Sequence, residues 1–391
     1  SLRLNMPAIS VRDLEVKDDS ICLCADLVAA THGRGYWILD DITPLRQAST
    51  VRSRETAFLF KPAMAVRVRF ATNDPTPWPP ELPAGENPPA GATLDYYVPA
   101  GATGAVRLDI LDAHGTRIRS YASDDASEKP DPARDPDAYM VLCQQKPTTR
   151  HCALPLYWPA PAMVLPAEPG MHRIAWDLHY QPIPTEEEPK GEEEEARGAV
   201  PHRTEPTVDA PWAPPGAYTV RLTVGDHHVE QPLTLRLDPR VTTPAAGLAR
   251  LAMLSRDMYD DAVAGRRAYA QARALAAQLA HLSGDDVAAF AARVDSLAPA
   301  PHEGERPQGR RGAAVTTPQT LESIADASLA AAMAMQSADV TPTAAQSAAC
   351  QRAHAQLAEV LARWTALKTT GLATFNAKRK AAGRPIVTIA D

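Results

Sequence analysis

The chain reads as β followed by α: short antiparallel strands to about residue 243, then a helical bundle. Three observations predict this. Apolar residues recur at every second position from about 61 to 240, the mark of strands with one buried face. Proline is abundant, 37 residues and mostly before 245, as short strands joined by extended loops require. After Pro244 alanine dominates and the apolar spacing changes to three and four, the period of an amphipathic helix. The composition shift near Pro244 marks a boundary, and three parts follow: 1–60, 61–243 and 244–391.

In the first part, V-R-D-L-E-V (Val11–Val16) and A-D-L-V-A-A (Ala25–Ala30) read as strands. Thr31 to Asp41, T-H-G-R-G-Y-W-I-L-D-D, is the most telling run in the chain. Gly33 and Gly35 bracket Arg34 and permit positive φ on both sides of it, as a tight hairpin demands. The apolar run Tyr36, Trp37, Ile38, Leu39 then re-enters the sheet, and I-T-P-L-R-Q follows.

In the second part five sets alternate. Val66, Val68 and Phe70 interleave with Arg67 and Arg69; Val106, Leu108 and Ile110 with Arg107 and Asp109. Ile174, Trp176, Leu178 and Tyr180 form a third set. Tyr218, Val220, Leu222 and Val224 form a fourth, and Leu233, Leu235 and Leu237 a fifth. One apolar face per strand and frequent Pro/Gly turns predict antiparallel sheets packed as a sandwich. Two insertions interrupt it. Residues 122–169 are rich in Pro, Asp and Ala. Residues 181–212 contain T-E-E-E-P-K-G-E-E-E-E (Thr185–Glu195), whose like charges repel and bury no apolar area, so a mobile loop is expected.

In the third part Leu251, Met258, Ala262, Tyr269, Ala272, Ala276 and Leu279 trace one stripe, with turns skipped at Ser255 and Gly265. Ser283-Gly284-Asp285 ends that helix and caps the next, whose stripe is Val287, Phe290, Val294 and Leu297. A basic Pro/Gly loop spans 299–316. Thr317-Pro318 opens a third helix with proline at its first position, carrying Leu321, Ile324 and Leu329. Thr343 and Gln346 have capping-box spacing, ahead of Cys350, Leu357, Leu361, Trp364 and Leu367. A shorter helix around Phe375 ends at Gly383. Ala-rich stripes let helices approach closely, so an antiparallel α-helical bundle is expected.

Length and charge bound the function. A chain of 391 residues holds two or three domains. A net charge of −7 argues against nucleic-acid partners, which select for a basic face. No apolar run is long enough to span a membrane, and no signal peptide is visible. The start at S-L-R-L without Met is read as a trimmed N-terminus. Five cysteines are too few for a disulfide framework. Cys143 and Cys152 either pair in an oxidising compartment or remain free thiols. Cys22 and Cys24 form a C-x-C, a poor metal site alone.

The candidate site residues are few. His32 and Arg34 sit at the hairpin tip, where they bind a ligand or simply form an exposed polar turn. Asp40 and Asp41 are adjacent carboxylates. On a strand they point to opposite faces, so they do not form an acid/base pair unaided, and bridging the exit loop is the plainer role. Trp78, Trp158 and Trp212 lie in Pro-rich loops and either stack on sugar rings or pin a loop to the sheet. Trp37, Trp176 and Trp364 fall on apolar faces and read as core. His172 and His179 are seven apart, and His227-His228 diverge; neither pair converges as zinc requires. The Glu run lacks the ligand spacing of a calcium loop. No nucleophile-elbow, dinucleotide, P-loop or zinc-protease motif is present. No catalytic residue, metal or cofactor is therefore expected in this chain.

The strand, Gly-x-Gly turn, aromatic strand unit with L-D-D-I-T-P-L-R-Q resembles the closing blade of bacterial Asp-box (BNR-repeat) β-propeller proteins. These are sortilin-like and often labelled glycosyl hydrolases. The insert D-S-I-C-L-C (Asp19–Cys24) departs from the tighter turn of that pattern. H-R-I-A-W-D-L (His172–Leu178) and P-P-G-A-Y-T-V-R-L (Pro214–Leu222) resemble bacterial immunoglobulin/fibronectin-like modules, with a buried Trp before an Asp and a Pro-Gly turn opening a Tyr-containing strand. The resemblance implies a terminal propeller blade (1–60), an immunoglobulin-like sandwich (61–243) and a helical bundle (244–391). It implies a periplasmic or secreted protein whose C-terminal region is structural and binding rather than catalytic. Its partners would be upstream propeller blades, a partner protein or a glycan. The alternative is an accessory part of a sialidase-like glycoside hydrolase whose active site lies in the upstream propeller.

Overall fold

A computed structural model describes residues 4, 6–20, 24–51, 54–69, 79, 81, 90–127, 129–132, 134–147, 149, 152, 154–158, 163–183, 210–300 and 319–389. Cys22, Phe70, Trp78, the Glu run and Thr317-Pro318 lie outside them. The architecture is β then α, in two compact units. One comprises residues 1–208 and 212–242, the other 209–211 and 243–391.

Among the described residues the first unit holds three sheets. Strands β1 (Val11–Asp19), β2 (Cys24–Thr31) and β3 (Tyr36–Leu39) form a small antiparallel sheet in sequence order. Gly33 and Gly35 both take positive φ in the β2–β3 turn, 78° and 68°. That is the backbone the Gly-x-Gly spacing demands. A single helical turn, α1 (Thr43–Arg46), follows.

The other two sheets pack face to face. Strands β4 (Phe58–Leu59), β6 (Ala92–Val98) and β9 (Gly170–Trp176) form one, in the order β4-β6-β9. The second joins β5 (Ala65–Arg67), β7 (Val106–Leu111), β8 (Arg117–Ala122), β10 (Gly216–Val224) and β11 (His227–Leu237), in the order β5-β11-β10-β7-β8. Leu94, Tyr96, Ile174 and Trp176 face Leu108, Ile110, Val220, Leu222, Leu233 and Leu235, all buried. The Trp176 and Tyr218 rings meet edge to face at 5.5 Å. The alternation therefore places the core residues of β7, β9 and β10 as read.

Four features differ from the sequence reading. The sheets are not wholly antiparallel, because β5 runs parallel to β11 at the sheet edge. On β5 Ala65 and Arg67 are buried, and Val66 between them is not. The Arg67 guanidinium donates to the Ala213 carbonyl at 2.6 Å, and this bond makes burying a charged side chain tolerable. Strand β6 went unread although its buried Ala92, Leu94, Tyr96 and Val98 alternate; Asp95 falls on its other face, opposite Arg173. The first insertion carries a helix, α2 (Pro136–Gln145), capped by Asp135 and anchored by buried Tyr139. A disulfide joins Cys143 to Cys152 there, and Cys24 is also disulfide-bonded.

In the second unit α3 (Ala245–Ala280) packs against α4 (Asp285–Asp295), α5 (Leu321–Met333) and α6 (Ala344–Ala366). The skipped positions on α3 are buried contact points, not gaps. Ser255 is buried, and a Cβ on Gly265 would stand 2.8 Å from the Ala325 methyl. Glycine thus permits the close approach of α5. The third helix begins at Leu321 with Thr320 as its cap, in a reciprocal box with Ser323, rather than at Pro318. The Thr343–Gln346 box is present. The last helix, α7 (Leu372–Ala381), is not separated from α6. A π-turn over Leu367–Gly371 joins them.

Candidate functional site

A cleft of about 590 Å³ lies in the first unit where the small sheet meets the edge of the two-layer region. Asp19, Asp26, Asp40 and Asp41 line one side. Met64, Val66 and Val68 line another, with Asp238 and Arg240 at the rim.

Strand β3 stops at Leu39, so Asp40 and Asp41 stand on the exit loop rather than on a strand. Strand alternation no longer separates them, and both line the cleft. Asp41 adopts a left-handed backbone, φ 45°. Its own N–H donates to Asp26 Oδ1 at 2.9 Å, and its Oδ1 accepts the Thr43 N–H at 3.0 Å. Aspartate suits this position, because its short side chain bonds local backbone and tolerates positive φ.

Arg173 on β9 holds the loop from the other side. Its two Nη atoms donate to the Asp40 and Asp41 carbonyls, each at 2.6 Å. Nε and Nη2 grip the Asp95 carboxylate at 2.9 and 3.2 Å. Asp95 faces Arg173 directly across the β6–β9 ladder and is only 3% exposed. One guanidinium therefore binds the small sheet to the β4-β6-β9 sheet.

The titration behaviour follows from the surroundings. Burial pushes the Asp40 carboxyl up, the Asp26 charge adds to this, and Arg173 opposes it. Burial raises Asp95 too, against its bonds to Arg173. Arg240, bonded to Asp238, holds that carboxyl down at about 2. The cleft is thus an acid-lined surface whose best-ordered carboxylates already serve as brackets for backbone. Among the described residues no group of three His, Cys, Asp or Glu side chains is placed to hold a metal ion.

The remaining candidates lie apart from one another. His32 and Arg34 are exposed at the hairpin tip, where His32 Nδ1 stands 3.3 Å from the Arg12 guanidinium. The Trp212 ring packs at a tilt against buried His179, centroids 3.9 Å apart, and the Arg69 guanidinium lies over the indole. It holds the residue 179 corner to the sheet. Trp158 packs edge-on to Tyr157, with its indole nitrogen buried. Trp37 is half-buried rather than core, and its Nε1 donates to the Arg34 carbonyl inside the hairpin.

Sequence reasoning missed Arg173, Asp95 and Asp26. Arg173 lies inside the H-R-I-A-W-D-L run, where Trp176 carries the apolar signal. Its partners are 78 to 133 residues away, so no local spacing points to them.

Comparisons with protein-family models, with curated proteins and with solved structures found no match. Among the described residues no helix is long and apolar enough to cross a membrane.

Proposed function

We propose that this chain is the non-catalytic C-terminal region of an exported β-propeller protein. Its small sheet serves as the terminal blade, and its two-layer β region as an immunoglobulin-like brace and binding module. The observation that carries the reading is exposed apolar surface on the small sheet: Leu14 and Val16 lie open at its β1 edge while Ala29 on the same face is buried, and Tyr36 and Ile38 lie open on the opposite face. By ladder pairing, Leu14, Ala29 and Trp37 share one side of β1–β3 with Val16, Leu27 and Leu39. Leu14 is 59% and Val16 45% exposed. Exposed apolar patches of this kind mark interfaces. The pleated, apolar shape of the face suits another β-sheet laid against it, as between propeller blades.

The brace is supported by topology. Taking β4 and β5 as one split first strand, the strands in order distribute as A-B-E on one sheet and A′-G-F-C-C′ on the other. The immunoglobulin and fibronectin folds distribute their strands in closely similar ways. Tyr218, at the start of β10, donates its hydroxyl to the Pro214 carbonyl at 2.5 Å. That is the tyrosine-corner arrangement of such domains. Arg173 then gives the blade a fixed attachment. The Cys143–Cys152 disulfide supports export, since such bonds persist in oxidising compartments.

The test is to read the gene upstream of the Ser1 codon and express the extended protein beside this chain. Further Gly-x-Gly blades are expected upstream. The extended protein should bind much less of an apolar-surface dye than the chain alone, and a Leu14→Lys/Val16→Lys variant of the chain should lose the excess. No upstream blades, or equal dye binding by both proteins, contradicts the proposal.

A further inference from the structure

A second groove, about 280 Å³, borders the edge strand β8, between Arg107, Arg117, Arg119, Ser120, Asp125 and Gln181. Its floor holds polar atoms without partners. Arg119 directs its Nη atoms to the Tyr180 carbonyl at 3.1 Å and to Asp177 Oδ2 at 3.4 Å. Its Nε is buried and makes no hydrogen bond. The Ser120 hydroxyl is likewise buried and unbonded. Ser120 pairs across the ladder with Asp109, whose buried Oδ1 also lacks a hydrogen bond. Arg117 Nη1 stands 3.9 Å from that oxygen, too far to supply one. Buried polar atoms are nearly always satisfied, so the two orphans in the groove's own lining, Arg119 Nε and Ser120 Oγ, call for an occupant.

We propose that this groove binds a small polyhydroxylated carboxylate of the hexuronate class. Guanidinium groups match carboxylate geometry better than any other side chain, and Arg107 and Arg117 stand exposed at the mouth. The lining also carries an acceptor. Asp125 holds the Ala122 N–H through Oδ2 at 2.7 Å, and its other oxygen is left for a ligand hydroxyl. A bare polyanion would meet the Asp125 carboxylate as a like charge, and a neutral sugar would leave the guanidinium groups unmatched. A hydroxylated monocarboxylate satisfies both. The volume falls at the small end of ligand sites and holds one sugar ring rather than a protein segment. The walls are preformed. Gln181 donates its N–H to the Ile118 carbonyl at 2.7 Å and accepts the Ser120 N–H at 3.0 Å, so little ordering opposes binding. The site belongs to this sheet edge alone. It stands or falls independently of what covers β1–β3.

The test is titration calorimetry of the full chain with sodium glucuronate, with glucose and sodium sulfate as comparisons at constant ionic strength. Glucuronate should bind saturably at one site. Glucose and sulfate should each bind at least about tenfold more weakly. An Arg107→Ala/Arg117→Ala variant with an unchanged melting temperature should lose at least about tenfold in glucuronate affinity. Absence of glucuronate binding, sulfate binding as tight as glucuronate, or full affinity in the double variant would each overturn the assignment.

Discussion

Replacing Trp176 by alanine is the sharpest test of the two-layer core. Trp176 is fully buried, meets Tyr218 edge to face, and donates Nε1–H to the His179 carbonyl at 2.9 Å. Removing a buried aromatic side chain costs about 3–5 kcal/mol through lost transfer energy and the residual cavity. The orphaned His179 carbonyl adds about 1 kcal/mol. The two terms place Trp176→Ala at about 4–6 kcal/mol. With a urea slope of roughly 2 kcal/mol/M, the midpoint should fall by about 2–3 M. Trp176→Phe keeps a ring against Tyr218 but not the donor, and should cost about half as much. The two units can unfold separately, so urea unfolding should be read by hydrogen exchange in β6, β9 and β10. A loss below about 1 kcal/mol would refute the reasoning, as would destabilisation confined to the helical unit.

Other expectations concern the bracket, the buried histidine, the bundle and activity. Arg173→Ala leaves the Asp95 charge buried and unpaired. It should destabilise the first unit by about 2–3 kcal/mol, less than a fully buried pair because Arg173 itself is partly exposed, and should speed exchange in residues 36–43. Burial lowers the His179 pKa, so the unfolded chain binds that proton more readily than the folded one. Its contribution is complete above the unfolded value of about 6.5 and is lost as pH falls below it. His179→Gln should flatten the stability–pH curve between about pH 7 and 5 relative to wild type, and parallel curves would contradict this. Thr343→Ala removes the cap on α6 and should lower bundle stability by about 1 kcal/mol in thermal unfolding. A fragment of residues 243–391 should melt cooperatively and be strongly helical, since two apolar clusters lie within it; a gradual melt would show that it needs the first unit. Aryl-glycoside and sialoside substrates should not turn over above background. A saturable rate abolished by Asp40→Asn would reverse that expectation.

What was legible in the sequence follows the range of the interaction. Trp176, Tyr218 and Leu222 show themselves by alternation because one face of each strand meets one core. Gly33 and Gly35 show the hairpin because only a local backbone conformation is at stake. Thr343 and Gln346 sit three apart and cap each other. The bracket was not legible, because Arg173 gathers Asp95, Asp40 and Asp41 from two other sheet segments. Arg67 misled the reading of β5, because a bond to the distant Ala213 carbonyl stabilises a charged residue inside. Helix α2 was missed although Asp135-Pro136 is a sound start signal, because its surroundings are rich in Pro and Asp. Asp40 and Asp41 were assigned to opposite faces on strand geometry that ends one residue earlier.

The central claim is that the apolar face of β1–β3 is covered by further β-sheet in the intact gene product. Hydrogen exchange of β1 and β3, measured in this chain and in the protein extended upstream of Ser1, tests it most directly. The account predicts that these amides exchange rapidly in the chain alone and become strongly protected in the extended protein, with β6 and β9 unchanged. Equal exchange of β1 and β3 in the two proteins would contradict it.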